Sequence, residues 1–348
     1  MIPHAEVEKV FPLVSPENVV VQYARDPNLE GVVKSLDGAI TRVKEELGIP
    51  LDMRKPDMTP EQKRDLSHNL KDDGEWLRGL NYVLQSYAPG VLENASLEMT
   101  LGALTSPDWN VPVLMYSGDK LKDGKLIIKA KPSHSFVTLW SYHPELEKCL
   151  PKHLRPMASN VATITNDPSL EVGLRAVHMA FPLTRNNTPA RQIFYGMEPD
   201  GFSAEMAKAR VEELGLKGEF KEGVISRIVL HQGGKHIVYG GILYANCSSE
   251  ELREIWGTAP DKGQHTRLHS LQMSRNGLLE PMKVMQFDPD KMDPYNPHIT
   301  SKDNKGKFLP GCIATNVSAG IYKGVLTSKD VNEAFGGTIL VNPAGVKL

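Results

Sequence analysis

VISRIVLH (224–231) and HIVYGGILYA (236–245) are the two stretches of sequence that decide the fold. Both are rich in β-branched and aliphatic residues, which favour a pleated and half-buried strand. Gly233-Gly234 lies between them, and glycine tolerates the positive φ angles of a two-residue hairpin turn. The stretches are therefore predicted to pair as antiparallel neighbours. In the register that this turn sets, His231 faces His236.

The same strand signal recurs through the C-terminal two thirds of the chain. Further runs rich in strand formers occur at 111–116, 125–130, 135–140, 172–183, 191–196, 312–317, 321–326 and 338–342. Asp123-Gly124 indicates a type I′ hairpin turn, in which both residues take a positive φ. Many short strands joined in this way are typical of an antiparallel sheet.

Helical periodicity dominates the N-terminal part instead. Apolar residues recur at helical spacing over 29–47, and Asp26 or Asn28 can cap the start of that helix. Thr59 and Gln62 form a capping box, in which each side chain satisfies a backbone N–H at the start of a second helix. Amphipathic helices are therefore predicted before the strands begin.

These patterns predict an α+β protein. A helix-rich N-terminal part, residues 1–105, is expected to pack on a largely antiparallel sheet formed by residues 106–348. Helices are inserted in the sheet region, and the proline-rich, aperiodic stretch 281–310 is predicted to be a surface excursion. A length of 348 residues suits two lobes or one large elaborated domain.

Charge and composition argue against several classes of protein. The 40 lysine and arginine residues are offset by 42 aspartate and glutamate residues, so the chain lacks the cationic excess that nucleic-acid binding requires. No apolar run approaches the length of a membrane span, and the N-terminus lacks the apolar core of a signal peptide. Three scattered cysteines suit reduced thiols. The expectation is a soluble, cytoplasmic protein without a membrane span.

The sequence contains no short motif that indicates a particular reaction. The glycine-rich nucleotide motifs, the kinase signatures, the Gly-x-Ser-x-Gly elbow, the His-Glu-x-x-His metalloprotease motif and the EF-hand loop are absent from the sequence. An NAD-using transferase stays open, because its pocket need not carry a short linear signature. The candidate site has to be built from single residues.

Cys247 is the candidate nucleophile. It precedes a helix that starts with a capping box formed by Ser248 and Glu251. A thiol at a helix N-terminus is expected to have a lowered pKa, which favours the reactive thiolate. With His265 or His269 as its general base, the hypothesis is a hydrolase or group transferase that acts on a polar small molecule or a peptide.

Two pairs of histidines support a second hypothesis, a metal-dependent enzyme. His231 and His236 face each other across the predicted hairpin, while His265 and His269 share one face of a predicted short helix. Four imidazoles that met in space would bind zinc or another divalent ion. Ordinary solvated histidines are the alternative interpretation of each pair.

A third hypothesis is an effector-like interaction protein without enzymatic activity. Lysines crowd the hairpin around Asp123-Gly124, at positions Lys120, Lys122, Lys125, Lys129 and Lys131. They suit either a basic face for a phosphate or acidic partner, or an edge strand protected from unwanted pairing. In this hypothesis the hairpin and the excursion at 281–310 are the contact surfaces for a protein partner.

Overall fold

The computed structural model describes residues 3–24, 26–53, 58–87, 110, 112–140, 155–175, 206, 209–231, 236–260, 265–288 and 307–345. Over these residues the chain forms eight α-helices and ten β-strands, which confirms the predicted α+β class. No helix in the described part of the chain is long and apolar enough to cross a membrane.

The helices and strands are numbered here in chain order. The strands are β1 (Ala5–Val14), β2 (Val19–Gln22), β3 (Pro112–Lys122), β4 (Lys125–His134), β5 (Met157–Ile164), β6 (Ser169–Arg175), β7 (Glu222–Leu230), β8 (His236–Tyr244), β9 (His265–Gln272) and β10 (Ile339–Val341). The helices are α1 (Pro27–Glu46), α2 (Pro60–Asp72), α3 (Gly74–Tyr87), α4 (Ser135–Trp140), α5 (Ser249–Gly257), α6 (Arg275–Val284), α7 (Pro310–Tyr322) and α8 (Ser328–Ala334).

Seven strands form the principal sheet, in the order β10-β1-β7-β8-β5-β6-β9. β1 pairs in parallel with β10, and β5 pairs in parallel with β8, whereas β1 with β7, β7 with β8, β5 with β6 and β6 with β9 are antiparallel. The sheet is therefore largely antiparallel, as the sequence predicts. A smaller sheet has the order β2-β4-β3.

Two compact units divide the chain. The first combines Met1–Gln22, Gly118–Ile128 and Met157–Leu348, and it contains the seven-stranded sheet. The second combines Tyr23–Ser117 and Lys129–Pro156, and it contains α1, α2 and α3. Each unit draws on separate stretches of the chain, whereas the sequence predicts one division between 1–105 and 106–348.

Local capping and turn chemistry agrees with the sequence prediction. The Asp26 carboxylate accepts hydrogen bonds from the first backbone N–H groups of α1, and the Thr59 and Gln62 capping box opens α2. Asp123 and Gly124 have φ angles of 51° and 74°, as a type I′ turn requires. Such features depend only on neighbours in sequence, so the residue types suffice to predict them.

Helix α7 corrects two strand predictions. The runs 312–317 and 321–326 were expected to be strands, but the chain over Pro310–Tyr322 is a helix that packs on β1, β5, β7 and β8. Nearly every residue of this helix is buried. A helix covered on all sides has no polar stripe, so an apolar run of this kind cannot be told from a buried strand by periodicity.

Helix α4 corrects a third strand prediction, that for 135–140. His134 is the last residue of β4, and α4 begins at the next residue. The His134 ring accepts a 3.1 Å hydrogen bond from the Phe136 backbone N–H, in the first turn of that helix. Phe136 then packs on Trp76, with ring centroids 5.7 Å apart. A long-range contact therefore overrides the β propensity of these residues.

Two other predicted segments lie partly or wholly outside the described residues. The run 172–183 is described only to residue 175, where β6 ends, and the run 191–196 is not among the described residues. Of the excursion at 281–310, residues 281–284 belong to helix α6, and 289–306 lie outside the described part of the chain.

Candidate active site around Cys247

Cys247 lies just beyond the end of β8 and just before α5. Its carbonyl oxygen accepts a 2.9 Å hydrogen bond from the Asn166 backbone N–H, which ties it to the chain that leaves β5. Its side chain is partly buried against a core cluster that includes Leu243, Leu252 and Leu268. The thiol is therefore held between the sheet and the start of α5.

At the N-terminus of α5, the carboxylates of Glu251 and Asp167 accept hydrogen bonds from backbone N–H groups. The predicted capping box is confirmed: the Glu251 carboxylate accepts from the Ser248 backbone N–H at 2.7 Å, and the Ser248 hydroxyl accepts from the Glu251 N–H at 3.3 Å. Asp167 accepts hydrogen bonds from the backbone N–H and hydroxyl of Ser249. These bonds, with one from Thr165, lower the pKa of Asp167 to about 2.

This arrangement corrects the expectation that the pKa of Cys247 is lowered. Burial is the largest cause of a raised pKa at this thiol, and the carboxylates of Glu251, Asp167 and Glu171 raise it further. The positive end of a helix stabilises a thiolate only where no anion has taken its N–H groups. Capping carboxylates occupy that position here, so the resting side chain is the protonated thiol.

Glu171 is the site residue that sequence reasoning misses. It lies on β6, directly opposite Thr163 of β5 on one side and Ser270 of β9 on the other. Its side chain is only 1% exposed, and within the described residues neither carboxylate oxygen has a well-formed hydrogen bond, although the Ser270 side chain lies close enough to lower its pKa. An ionisable group in such a setting is a common mark of a functional site.

Burial controls the protonation of Glu171. Loss of solvent raises the pKa of its carboxyl group, while Ser270 and Arg253 partly offset that effect. The guanidinium of Arg253, on α5, stays 3.8 Å from the nearest carboxylate oxygen, which is too long for a hydrogen bond. Glu171 and Asp167 are therefore two nearby carboxyl groups whose pKa values are displaced in opposite directions.

His265 and His269 do not lie on a helix, which corrects that prediction. Both belong to strand β9, where positions four residues apart are separated by about 13 Å. They are therefore too far apart for a joint metal site. Strand geometry arises here because β9 pairs along its length with β6.

The pairing of β6 with β9 also places His269 away from Cys247. His269 lies opposite Val172, whereas Ser270 lies opposite Glu171, so His269 projects from the other face of the sheet. Its ring lies 6.3 Å from that of Phe308 in an edge-to-face arrangement. The side chain of His265 lies outside the described residues, and only its backbone position at the start of β9 is assigned.

His231 and His236 do not face each other, which is a further correction. His236 pairs with Leu230, so the register differs by one residue from the predicted one. A shift of one residue places the two side chains on opposite faces of the sheet. His236 is 1% exposed, while the His231 imidazole lies 3.5 Å from the Glu6 carboxylate.

No metal site forms from the described side chains. Among them, no group of three or more histidine, cysteine, aspartate or glutamate residues is placed to hold a metal ion. The turn between β7 and β8, residues 232–235, is outside this description. The metal hypothesis required His231 to face His236 and His265 to lie beside His269, and neither arrangement is present in the described strands.

Another charged network that sequence reasoning misses is buried in the same unit. Asp119 lies 2.6 Å from the Arg227 guanidinium and accepts a 2.9 Å hydrogen bond from the Tyr239 hydroxyl. Lys9 and Glu8 complete the network, with Lys9 3.6 Å from Asp119 and Glu8 2.9 Å from Arg227. Because Asp119 has several partners, this network contributes to the stability of the fold.

Comparison with known proteins does not identify a function for this chain. A scan against models of protein families finds no match. A search of curated proteins finds no similar sequence. What the site can do must therefore be argued from the chemistry of Cys247, Glu171 and the groups around them.

Proposed function

We propose that the chain is a hydrolase or group transferase in which Cys247 is the nucleophile and Glu171 is the proton acceptor. The observation that supports the proposal is that the buried Glu171 lies in one row across the sheet with Thr163 and Leu243, and that Cys247 packs against the cluster containing Leu243. The charge of Glu171 also raises the pKa of the thiol. In this proposal Glu171 takes the role first given to His265 and His269, because His269 projects from the opposite face of the sheet.

The two displaced pKa values complement each other. A thiol with a raised pKa is protonated at neutral pH and needs a base to become a nucleophile. A carboxylate with a raised pKa is a stronger base than an ordinary glutamate, and its conjugate acid can donate the proton back. The same residue can thus serve as base and then as acid.

The reaction would proceed through an acyl-enzyme. Glu171 removes the proton of the Cys247 thiol as sulfur attacks a carbonyl carbon, and the protonated Glu171 returns that proton to the leaving group as the carbon–heteroatom bond breaks. Water or a second substrate then attacks the thioester. Glu171 accepts the proton of that nucleophile, and the departing Cys247 sulfur takes it back to restore the thiol.

The surrounding charge favours some substrates over others. Asp167 and Glu251 have lowered pKa values, so both carry a negative charge near the thiol at neutral pH. Substrates with a neutral or cationic leaving group are therefore favoured over anionic ones. A polar small molecule or a peptide amide meets this requirement, and a reducing compartment such as the cytoplasm would keep the thiol available.

Acylation of the intact protein tests this proposal. Incubation with p-nitrophenyl acetate, followed by peptide mass spectrometry, should place one acetyl group on Cys247 and release p-nitrophenolate in step. Glu171→Gln should slow acylation by at least about 100-fold, which is the usual contribution of a general base. Cys312→Ser is the matched control, because Cys312 is also a free and partly buried thiol, and it should acylate at the normal rate.

Two outcomes would contradict the proposal. Acetylation of Cys312 in preference to Cys247 would remove the nucleophile. An unchanged rate and pH profile in a folded Glu171→Gln protein would remove the base, because proton transfer by Glu171 predicts a rate that rises as its carboxyl group ionises.

A second candidate function is a non-enzymatic interaction protein with a basic contact surface. The five lysines of the β3–β4 hairpin, from Lys120 to Lys131, are all exposed. Within the described residues, one ion pair involves these lysines, that of Lys122 with Asp123 at 4.0 Å. A pull-down with the Lys120→Glu, Lys125→Glu variant, compared with the wild type, tests whether an acidic protein binds this hairpin.

A further inference from the structure

The aromatic ring of Tyr244 lies beside two lysine side chains. The ammonium group of Lys221 is 5.7 Å from the ring centroid, and that of Lys323 is 5.3 Å from it. One such contact is a familiar cation–π interaction, but two place like charges close to the same ring. This arrangement concentrates positive charge at one point of the surface.

Three separate chain segments bring these side chains together. Lys221 immediately precedes β7, and its carbonyl oxygen accepts a 3.0 Å hydrogen bond from the Tyr244 backbone N–H at the end of β8. Lys323 is the C-cap of α7, which lies against the sheet. Sheet pairing and helix packing therefore fix the backbone at all three positions, while the two lysine side chains remain exposed.

The groups at this position are donors that lack acceptors. Within the described part of the chain, neither ammonium group forms an ion pair, and neither Tyr244 nor the adjacent Tyr322 forms a hydrogen bond through its hydroxyl. Burial raises the pKa of Tyr244, and Tyr322 is close enough to raise it further. The Tyr244 phenol is therefore protonated at neutral pH and able to donate, and a lysine ammonium can only donate.

The C-terminus of α7 does not supply the missing acceptors. Its last carbonyl groups already accept backbone hydrogen bonds, from Gly324 to Ile321 at 2.9 Å and from Val325 to Gly320 at 3.0 Å. The partial negative charge of the helix end is thus engaged by the chain that follows it. The lysines and phenols are therefore free to donate to an acceptor that water or a ligand supplies.

We propose that Lys221, Tyr244, Tyr322 and Lys323 form a binding site for a phosphate group. A phosphate dianion offers several acceptor oxygens to the donors that surround the Tyr244 ring, and its charge complements the two ammonium groups beside that ring. The flexible lysine side chains can close on one phosphate, and the Tyr244 ring supplies a flat apolar surface beside it. The site takes either inorganic phosphate or the phosphate monoester of an organic molecule.

Titration calorimetry with two probes distinguishes these sources. Inorganic phosphate tests the anion alone, and phenyl phosphate adds an aromatic ring that can stack on Tyr244. Saturable binding of either probe in the millimolar range or tighter supports the site. Tighter binding of phenyl phosphate identifies an organic monoester as the natural class, and equal binding identifies the free anion.

Matched variants decide whether the binding is local. The Lys221→Ala, Lys323→Ala double variant should weaken binding by at least about tenfold, because it removes two charge-assisted hydrogen bonds. The control is Lys34→Ala, Lys329→Ala, which makes the same change in net charge at two exposed lysines that belong to neither this site nor the β3–β4 hairpin, and it should bind as the wild type does. Tyr244→Phe keeps the ring and should weaken binding less than the double lysine variant.

The proposal is overturned if the folded wild-type protein shows no saturable binding of either probe. Equal loss of binding in both double variants would also overturn it, because the attraction would then be a property of the net charge alone. These outcomes are independent of Cys247, since acylation of that thiol is measured by a separate assay.

Discussion

Arg227 and Asp119 form an ion pair in which the guanidinium lies 2.6 Å from a carboxylate that is 1% exposed. Removing one member of such a pair leaves the other buried without its charge partner. Asp119→Asn should therefore lower the free energy of unfolding by about 3 kcal/mol, and Tyr239→Phe, which removes one hydrogen bond to Asp119, by about 1 kcal/mol. Urea unfolding measures both, and equal small losses would contradict this account.

The close approach of α1 and α3 at Gly79 predicts a second effect on stability. A Cβ atom at this position would lie 2.8 Å from the side chain of Leu36, which is fully buried and cannot move aside. Gly79→Ala should therefore lower the free energy of unfolding by about 1–3 kcal/mol.

Gly31, within α1, is the matched control for that substitution, since a Cβ atom there would meet nothing within 4 Å. Gly31→Ala should raise stability by about 0.5–1 kcal/mol, because alanine is the better helix former. Thermal unfolding followed by circular dichroism measures both changes, and a loss of stability in both variants would argue against close packing as the cause.

His134 predicts a dependence of stability on pH. Its ring donates a 2.9 Å hydrogen bond to the Asn110 side chain, and full burial lowers its pKa from 6.5 to about 3. Between those values the unfolded chain binds a proton that the folded chain does not. The contribution of His134 is therefore complete above pH 6.5 and is lost as pH falls, at about 1.4 kcal/mol per pH unit.

The comparison with His134→Gln isolates this effect. Asp167, whose pKa falls from 3.8 to about 2 on folding, contributes a slope of its own near pH 4, but it is present in both proteins and cancels from their difference. Urea unfolding of the two proteins should give curves whose difference shrinks as pH falls below 6.5. A constant difference would mean that His134 is protonated in the folded protein.

Glu171 predicts a pH dependence of opposite sign. Its folded pKa lies above the ordinary value of 4.5, so the folded chain retains a proton that the unfolded chain has released. Stability should therefore fall as pH rises from 4.5 through the folded pKa, and Glu171→Gln should remove that fall. Urea unfolding at several pH values tests this, and parallel profiles for the wild type and the variant would contradict a raised pKa.

Local chemistry explains most of what the sequence predicts correctly. The Asp26 cap, the Thr59 capping box and the Asp123-Gly124 turn follow from residue types a few positions apart. The strands β7 and β8 follow from dense runs of β-branched residues. Each of these features depends on interactions that neighbouring residues can specify.

The sequence predictions are wrong where contacts between distant parts of the chain determine strand register or burial. The register of β7 and β8 differs by one residue from the simplest hairpin, and that single step separates His231 from His236. Glu171 occupies an ordinary strand position in the sequence, and only the cover supplied by neighbouring strands and by α5 makes it buried. A pattern in one segment cannot report which other segment will cover it.

The carboxylates around Cys247 have a consequence for oxidative chemistry. Peroxides oxidise the thiolate rather than the thiol, and the raised pKa keeps this sulfur protonated at rest. Cysteines of low pKa are vulnerable to conversion to sulfenic and sulfinic acids whether or not a substrate is bound. Here Asp167 and Glu251, by capping α5, also protect the neighbouring sulfur from hydrogen peroxide until a base draws off its proton.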